Sequence, residues 1–239
     1  MVLTLVLVAP TQVAVSARLL SAWDELTAAV EVVLGVWGPG ASSLASPALL
    51  RTYTHYGNPV IGAFAGDELC GVSIGFLGSS PEVHLHSHIT GVLPTHQHLG
   101  IGFELKQAQR QWCADRGIAL VTWTFDPMLA RNAHFNMRKL GARARVLLPD
   151  FYGAMDDDIN RGEPTDRLEV RWDVNGDALR VERPILRAVP IPADYLALRE
   201  TEPGAAADAR HRVRESLLDS FSQGLEVVDF DRERGYLLA

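Results

Sequence analysis

Between Glu82 and Phe125 the periodicity of the chain changes twice. "EVHLHSHITGVL" reads as a strand. From Gly102 to Arg116 the apolar residues follow Ile101 at helical spacing, as Leu105, Ala108 and Trp112, and Gly117 closes the helix. "IALVTWTF" then reads as the next strand. Strand and helix periods in such close succession confine the chain to the mixed α/β class.

The alternation extends in both directions. Leu19 to Trp37 reads as an amphipathic helix stopped at Gly38-Pro39-Gly40, and "SPALLRTYTHY" as a second helix from Ser46 to Gly57. "PVIGAFA" and "ELCGVSIGFLG" flank Gly66-Asp67 as a hairpin. Asp126-Pro127 predicts an N-cap followed by proline at the first helical position. That helix would carry Leu129, Ala133, Met137 and Leu140 on one side and stop at Gly141. "ARVLLP" and "DRLEVRWDV" are two further strands, separated by the loop "DFYGAMDDDINRGEPT". After Asp173 the texture changes to a linker-like run with a short strand, a helix over Pro203 to Ser222, and a final hairpin from "LEVVDF" and "GYLLA". The expected organisation is an α/β core over 1–174 and a smaller α/β extension over 175–239. The extension's apolar runs "PILRAVPIP" and "LEVVDF" must be covered, either on the core or against a partner subunit in a homodimer.

Composition narrows the partners. The 239 residues suffice for one large domain, or one domain with an appendage. The formal charge is -7, with both signs interspersed, which argues against nucleic acid and anionic membrane, since both call for a basic patch. Cys70 and Cys113 fall inside predicted elements and read as buried thiols in a reducing compartment. The opening "MVLTLVLVAP" alternates like a strand, is short and lacks a basic leader, so neither a signal peptide nor a membrane span is expected. A cytoplasmic protein is the expectation.

Two glycines, Gly100 and Gly102, stand where the strand gives way to the helix, although glycine is poor in either element. A dinucleotide fingerprint would need a third glycine where Leu105 stands, and no Gly-Lys-Ser/Thr run completes a P-loop. A third signature fits: Gln-x-x-Gly-x-Gly after a strand ending Val-x-Pro, met by Val92, Pro94, Gln97, Gly100 and Gly102. Residues without side chains let helix N-terminal amides close on a pyrophosphate, whose charge the helix dipole favours. A plain strand-to-helix turn would need only one glycine.

At these residues the chain resembles the GNAT superfamily of acyl-CoA-dependent N-acyltransferases. "LHSHITGV", "TWTFDP", "RNAHFN", "KLGA", "FYG", "DRLEVRW" and the terminal "YLL" together resemble a poorly characterised bacterial branch with such a C-terminal extension. The resemblance implies a GNAT-like, mostly antiparallel central sheet flanked by helices. It implies that amides of Gln97, His98, Leu99, Gly100, Ile101 and Gly102 hold the CoA pyrophosphate. Val92 would pair its backbone with the pantetheine arm, and Asn132 would touch that arm. Many GNAT enzymes also carry a tyrosine, four residues before the glycine ending the later helix, that protonates the leaving thiolate. Counting back from Gly141 reaches Met137, which has no proton to give.

"VHLHSH" places His84, His86 and His88 on one face of a strand. As zinc ligands they would have to converge, yet residues two apart on a strand are separated by about 7 Å. No metal is therefore expected. As proton acceptors they suit an ammonium that must be deprotonated near neutral pH, and His86 and His88 are favoured over His84. Asp126 is a further candidate base, although capping amides would satisfy its carboxylate. Trp123 and Phe125 point the same way along their strand and read as core.

The expected function is transfer of an acetyl or succinyl group from acyl-CoA to a primary amine of a small molecule such as an amino acid. The alternative is a non-catalytic acyl-CoA-binding or sensor protein, motivated by Met137. A metal hydrolase built on the histidine strand is a third reading.

Overall fold

Ser46 accepts a hydrogen bond from the Leu49 amide, with Pro47 next to it, and so starts a helix where the sequence marks one. The same local logic runs through the computed structural model, which describes residues 14–153, 155, 160, 162–176 and 183–239. In chain order the strands are β1 (Val15–Leu19), β2 (Val60–Ala65), β3 (Glu68–Gly78), β4 (His84–Val92), β5 (Leu120–Phe125), β6 (Arg143–Leu148), β7 (Arg167–Asp173), β8 (Arg187–Val189), β9 (Val227–Asp231) and β10 (Gly235–Leu238). The helices are α1 (Trp23–Trp37), α2 (Pro47–His55), α3 (Ile101–Ala114), α4 (Ala130–Ala133), α5 (Tyr195–Thr201) and α6 (Pro203–Ser222). One sheet holds the strands in the order β1-β2-β3-β4-β5-β7-β6-β9-β10-β8. Its pairings are antiparallel except β4 with β5, so the fold is the mixed, mostly antiparallel sheet flanked by helices that was expected.

Four expectations need correction or supplement. The first helix begins at Trp23 rather than Leu19, and residues Val15–Leu19 form β1 against β2. Glu25 reaches back to the Ser21 and Ala22 amides, which fixes the later start. The strand expected in "MVLTLVLVAP" lies outside the described residues. Asp126 does not cap α4, whose N-cap is Leu129, because its carboxylate is engaged elsewhere. Asp194 caps an additional helix, α5, by accepting from the Ala197 amide.

Apolar side chains cover both faces of the sheet. On one face α1 and α2 bury Leu26, Val33 and Leu50 against Val72, Ile74 and Ile89. On the other, Ile101 and Leu105 of α3 pack on Ile61, Ala63 and Cys70. The largest cluster runs from Trp112 and Cys113 through β5, β7 and β6 to α6, β9 and β10. Residues beyond 183 are therefore continuous with this core: Ala144 of β6 pairs with Val227 of β9, and the Tyr236 hydroxyl donates to the Pro127 carbonyl at 2.7 Å. Among the described residues, no helix is long and apolar enough to cross a membrane.

Candidate functional site

The parallel strands β4 and β5 share only two rungs, Leu85↔Val121 and His86↔Thr122. Beyond them the strands separate, while each stays paired on its outer side with β3 or β7. A bulge marks the point of separation. Ile74 faces Ile89 and Gly75 faces Ser87, leaving His88 as the extra residue of β4. The result is a fork in the sheet, with β4 leading from it toward the glycine turn.

At that turn Gly100 has φ +77°, a left-handed conformation that favours glycine, and no side chain caps α3. The first-turn amides of α3 thus lack the usual side-chain acceptor. Gly102 differs: a Cβ there would meet only Phe135 and Val92, each at an ordinary 3.9 Å. Nothing among the described residues demands glycine at 102, so the bare backbone suits close approach by an outside group. Gln97 ties the turn together. Its Nε2 donates to the Val92 carbonyl at 3.3 Å, and its Oε1 accepts from Arg131 at 2.7 Å. Arg131, within "RNAHFN", brings an exposed cation to the turn and was not singled out from sequence. His98, Leu99 and Asn132 are exposed beside it, whereas the Ile101 side chain is buried and can offer only its amide.

His86 and His88 lie on the α1/α2 face of the fork. Their ring centroids are 6.4 Å apart, and Phe76 contacts both at 5.1 and 5.8 Å, itself backed by Tyr53 of α2. His86 Nδ1 shares a 3.1 Å hydrogen bond with the Thr122 hydroxyl, so it spans the last shared rung. Burial, then His88, His84 and Lys106, push its pKa down to about 4, and burial lowers that of His88. Both are neutral at pH 7. His84 turns aside to the Glu82 carbonyl, so the three rings do not converge.

Lys106 occupies the opposite face. It is 3% exposed, donates to Ser87 Oγ on β4 at 2.8 Å, and places Nζ 3.9 Å from the ring centroid of Trp123 on β5. The amine therefore bridges the two strands just beyond their last shared rung. Sequence reasoning passed over it, because a lysine between Leu105 and Gln107 on a helix reads as solvated.

Asp126, at the end of β5, is structural in its bonding. Oδ1 accepts from the Met128 amide at 2.8 Å, and Arg210 of α6 binds both carboxylate oxygens. Arg210 also reaches Tyr195 and Glu163. The Met137 side chain is in the core, 2% exposed. The backbone there widens into π-turns over His134–Lys139, which shift the helical count by one and bring Asn136 into question as well. Asn136 is also buried and, like Met137, is no acid.

No family model and no curated protein matches this sequence. Solved structures do resemble it. A Desulfovibrio desulfuricans protein assigned to the GNAT family superposes with a TM-score of 0.56 at 20% identity, over 67% of this chain and 99% of that one. The ribosomal-protein-S18-alanine N-acetyltransferase of Escherichia coli gives 0.55 at 13% identity, over 69% and 96%. The yncA protein of Salmonella typhimurium, solved with its cofactor acetyl-CoA, gives 0.53 at 15%, over 69% and 96%. The fold is that of the GNAT proteins.

Proposed function

We propose that this GNAT-fold chain is an acyl-CoA-dependent N-acyltransferase that moves an acetyl or succinyl group to a primary amine of a small molecule, such as an amino acid. The observation that carries the reading is the fork between β4 and β5, which leads along β4 to the uncapped N-terminus of α3. Amides from Gln97 to Gly102 bind the pyrophosphate, helped by the helix dipole and by Arg131. The Val92 backbone and Asn132 hold the pantetheine arm. The bound substrate supplies a thioester, an acyl group on a leaving thiolate. His86 and His88 face it from the α1/α2 side and accept the proton of the incoming ammonium. Holding amine and thioester together supplies much of the rate. Residues 1–174 form the acyl-CoA domain, and 175–239 an extension that buttresses the strand ends.

A screen of amines and amino acids for thiol release from acetyl- and succinyl-CoA tests the reading. Amine-dependent release supports it. The buried Met137 favours one second reading, a binding or sensor protein, for which CoA would bind with no thiol released by any amine.

A further inference from the structure

We propose that Lys106 is the proton donor to the thiolate that departs from the fork. This inference rests on the acyltransferase reading above. Four observations lead to it. Lys106 is buried at the fork, between Ser87 of β4 and Trp123 of β5. Among the described residues it makes no ion pair with a carboxylate, so its proton is not held by a counter-charge. It lies on the face of the sheet opposite His86 and His88, so a base and an acid flank the same opening. Neither Met137 nor Asn136 can serve as the acid.

The groups facing Lys106 fit this role. From β4, His86 lies across the sheet and is neutral at pH 7. From β5, Trp123 offers a ring face, and Thr122 is turned to His86. From β3 come Ser73, bonded to Thr90, and Cys70, whose thiol is kept neutral by burial. On α3 itself, Arg110 is committed to the carbonyls of Val174 and Gly176, and burial keeps the Cys113 thiol protonated. Among the described residues no anion offsets the burial of the amine, and its pKa falls to about 7. An ammonium so weakened gives its proton readily to a thiolate, since even a cysteine thiol has a pKa of about 8.5.

The neutral amine of the acceptor attacks the carbonyl carbon, forming C–N while C–S breaks and its electron pair passes to sulfur. An N–H bond of the Lys106 ammonium breaks as S–H forms. The acceptor's surplus proton leaves through His86 or His88, and solvent reprotonates Lys106. Ser87 holds Nζ in place throughout.

Three variants and one spectroscopic measurement test the assignment. Lys106→Met should lower turnover about 10²–10⁴-fold. It should also remove the basic limb of the pH profile that deprotonation of Lys106 imposes, with CoA affinity unchanged. Lys106→Arg keeps the charge but cannot release the proton, and it should not restore turnover. In ligand-free protein labelled at lysine Nζ, the resonance lost in Lys106→Met should titrate near neutral pH and move when CoA is added. Titration with the surface lysines, or no response to CoA, overturns the proposal. Full turnover in Lys106→Met or Lys106→Arg overturns it and leaves the acyltransferase reading intact, as does loss of the basic limb in Tyr152→Phe alone, Tyr152 being the phenol that meets the Thr124 hydroxyl of β5 at 3.2 Å. Acyl-Lys106 found by mass spectrometry during turnover also overturns it, because the amine would then be a nucleophile. No thiol release by the wild-type protein with any amine overturns both readings.

Discussion

Arg210 of α6 grips Asp126, at the end of β5, through both carboxylate oxygens, at 3.3 Å to Oδ1 and 3.0 Å to Oδ2. The pair joins segments 84 residues apart and holds the loop that leaves the fork. Tyr236 supports the same loop at Pro127, so two contacts from beyond residue 183 fix where β5 ends. Glu163 and the Tyr195 hydroxyl complete the surroundings of the guanidinium, which is why so buried a cation is tolerated.

Removing one side of this pair should be more damaging than removing both. Arg210→Met leaves Asp126 and Glu163 without their shared cation and should cost about 3–5 kcal/mol of stability. Combining it with Asp126→Asn should recover part of that loss. Urea unfolding of the two single variants and the double variant checks the coupling, and strictly additive losses would show that the pair does not act as a unit.

The glycine turn calls for a substitution at Gly102 rather than at Gly100. A side chain at Gly100 must adopt a left-handed backbone, at about 1–2 kcal/mol, so its effects mix strain with lost contacts. Gly102 has an ordinary helical place with room for a Cβ. Gly102→Val should therefore fold normally while weakening CoA binding at least about tenfold, or about 1.4 kcal/mol. Calorimetric titration with CoA measures this. Wild-type affinity in the folded variant would remove the pyrophosphate assignment.

His86 should place the acidic limb of kcat/KM unusually low. Burial favours the neutral ring and brings its pKa to about 4, so the ring is unprotonated, and only weakly basic, through the whole neutral range. Between the ordinary histidine value of 6.5 and about 4, the unfolded chain binds a proton that the folded chain refuses, so stability falls as pH drops through that window. His86→Ala should lower turnover about 10²–10⁴-fold and weaken that pH dependence of unfolding. Wild-type turnover in both His86→Ala and His88→Ala would make these rings structural.

Lys106 should be a stability liability near neutral pH. Its pKa falls from 10.5 to about 7 on folding, so between those values the unfolded chain is protonated and the folded chain is not. Stability therefore rises with pH across that window, and the penalty is largest at and below pH 7. Lys106→Met should raise Tm at pH 7 by about 2–4 °C for each kcal/mol recovered. The gain should shrink toward pH 10. A lower Tm at pH 7 would show that the bond to Ser87 outweighs desolvation.

The parts legible in sequence were those set by local pattern. The Gly66-Asp67 hairpin, the strand His84–Val92 and the helix Pro203–Ser222 needed only periodicity and stop signals. What could not be read came from distant contacts or irregular backbone. Asp126 looks like a cap until Arg210 arrives from another part of the chain to claim it. Ser16 and Arg18 give β1 a polar look, and only pairing with β2 makes it a strand. Counting back from Gly141 assumes a regular helix, but π-turns over His134–Lys139 add to the count. The candidate site divides in the same way. The glycine turn is a contiguous motif, whereas Lys106 becomes conspicuous only because two strands part beside it.

That parting leaves β4 and β5 with open edges, although both are interior strands of the sheet. An open strand edge is ordinarily an invitation to pair with another chain and aggregate. Here the edges face each other across a slot roofed and floored by helices rather than lying along the rim of the sheet. Because β3 and β7 hold the two strands from their outer sides, neither edge is offered along the rim to another chain. The unpaired backbone groups of both strands are thus turned inward, toward the fork.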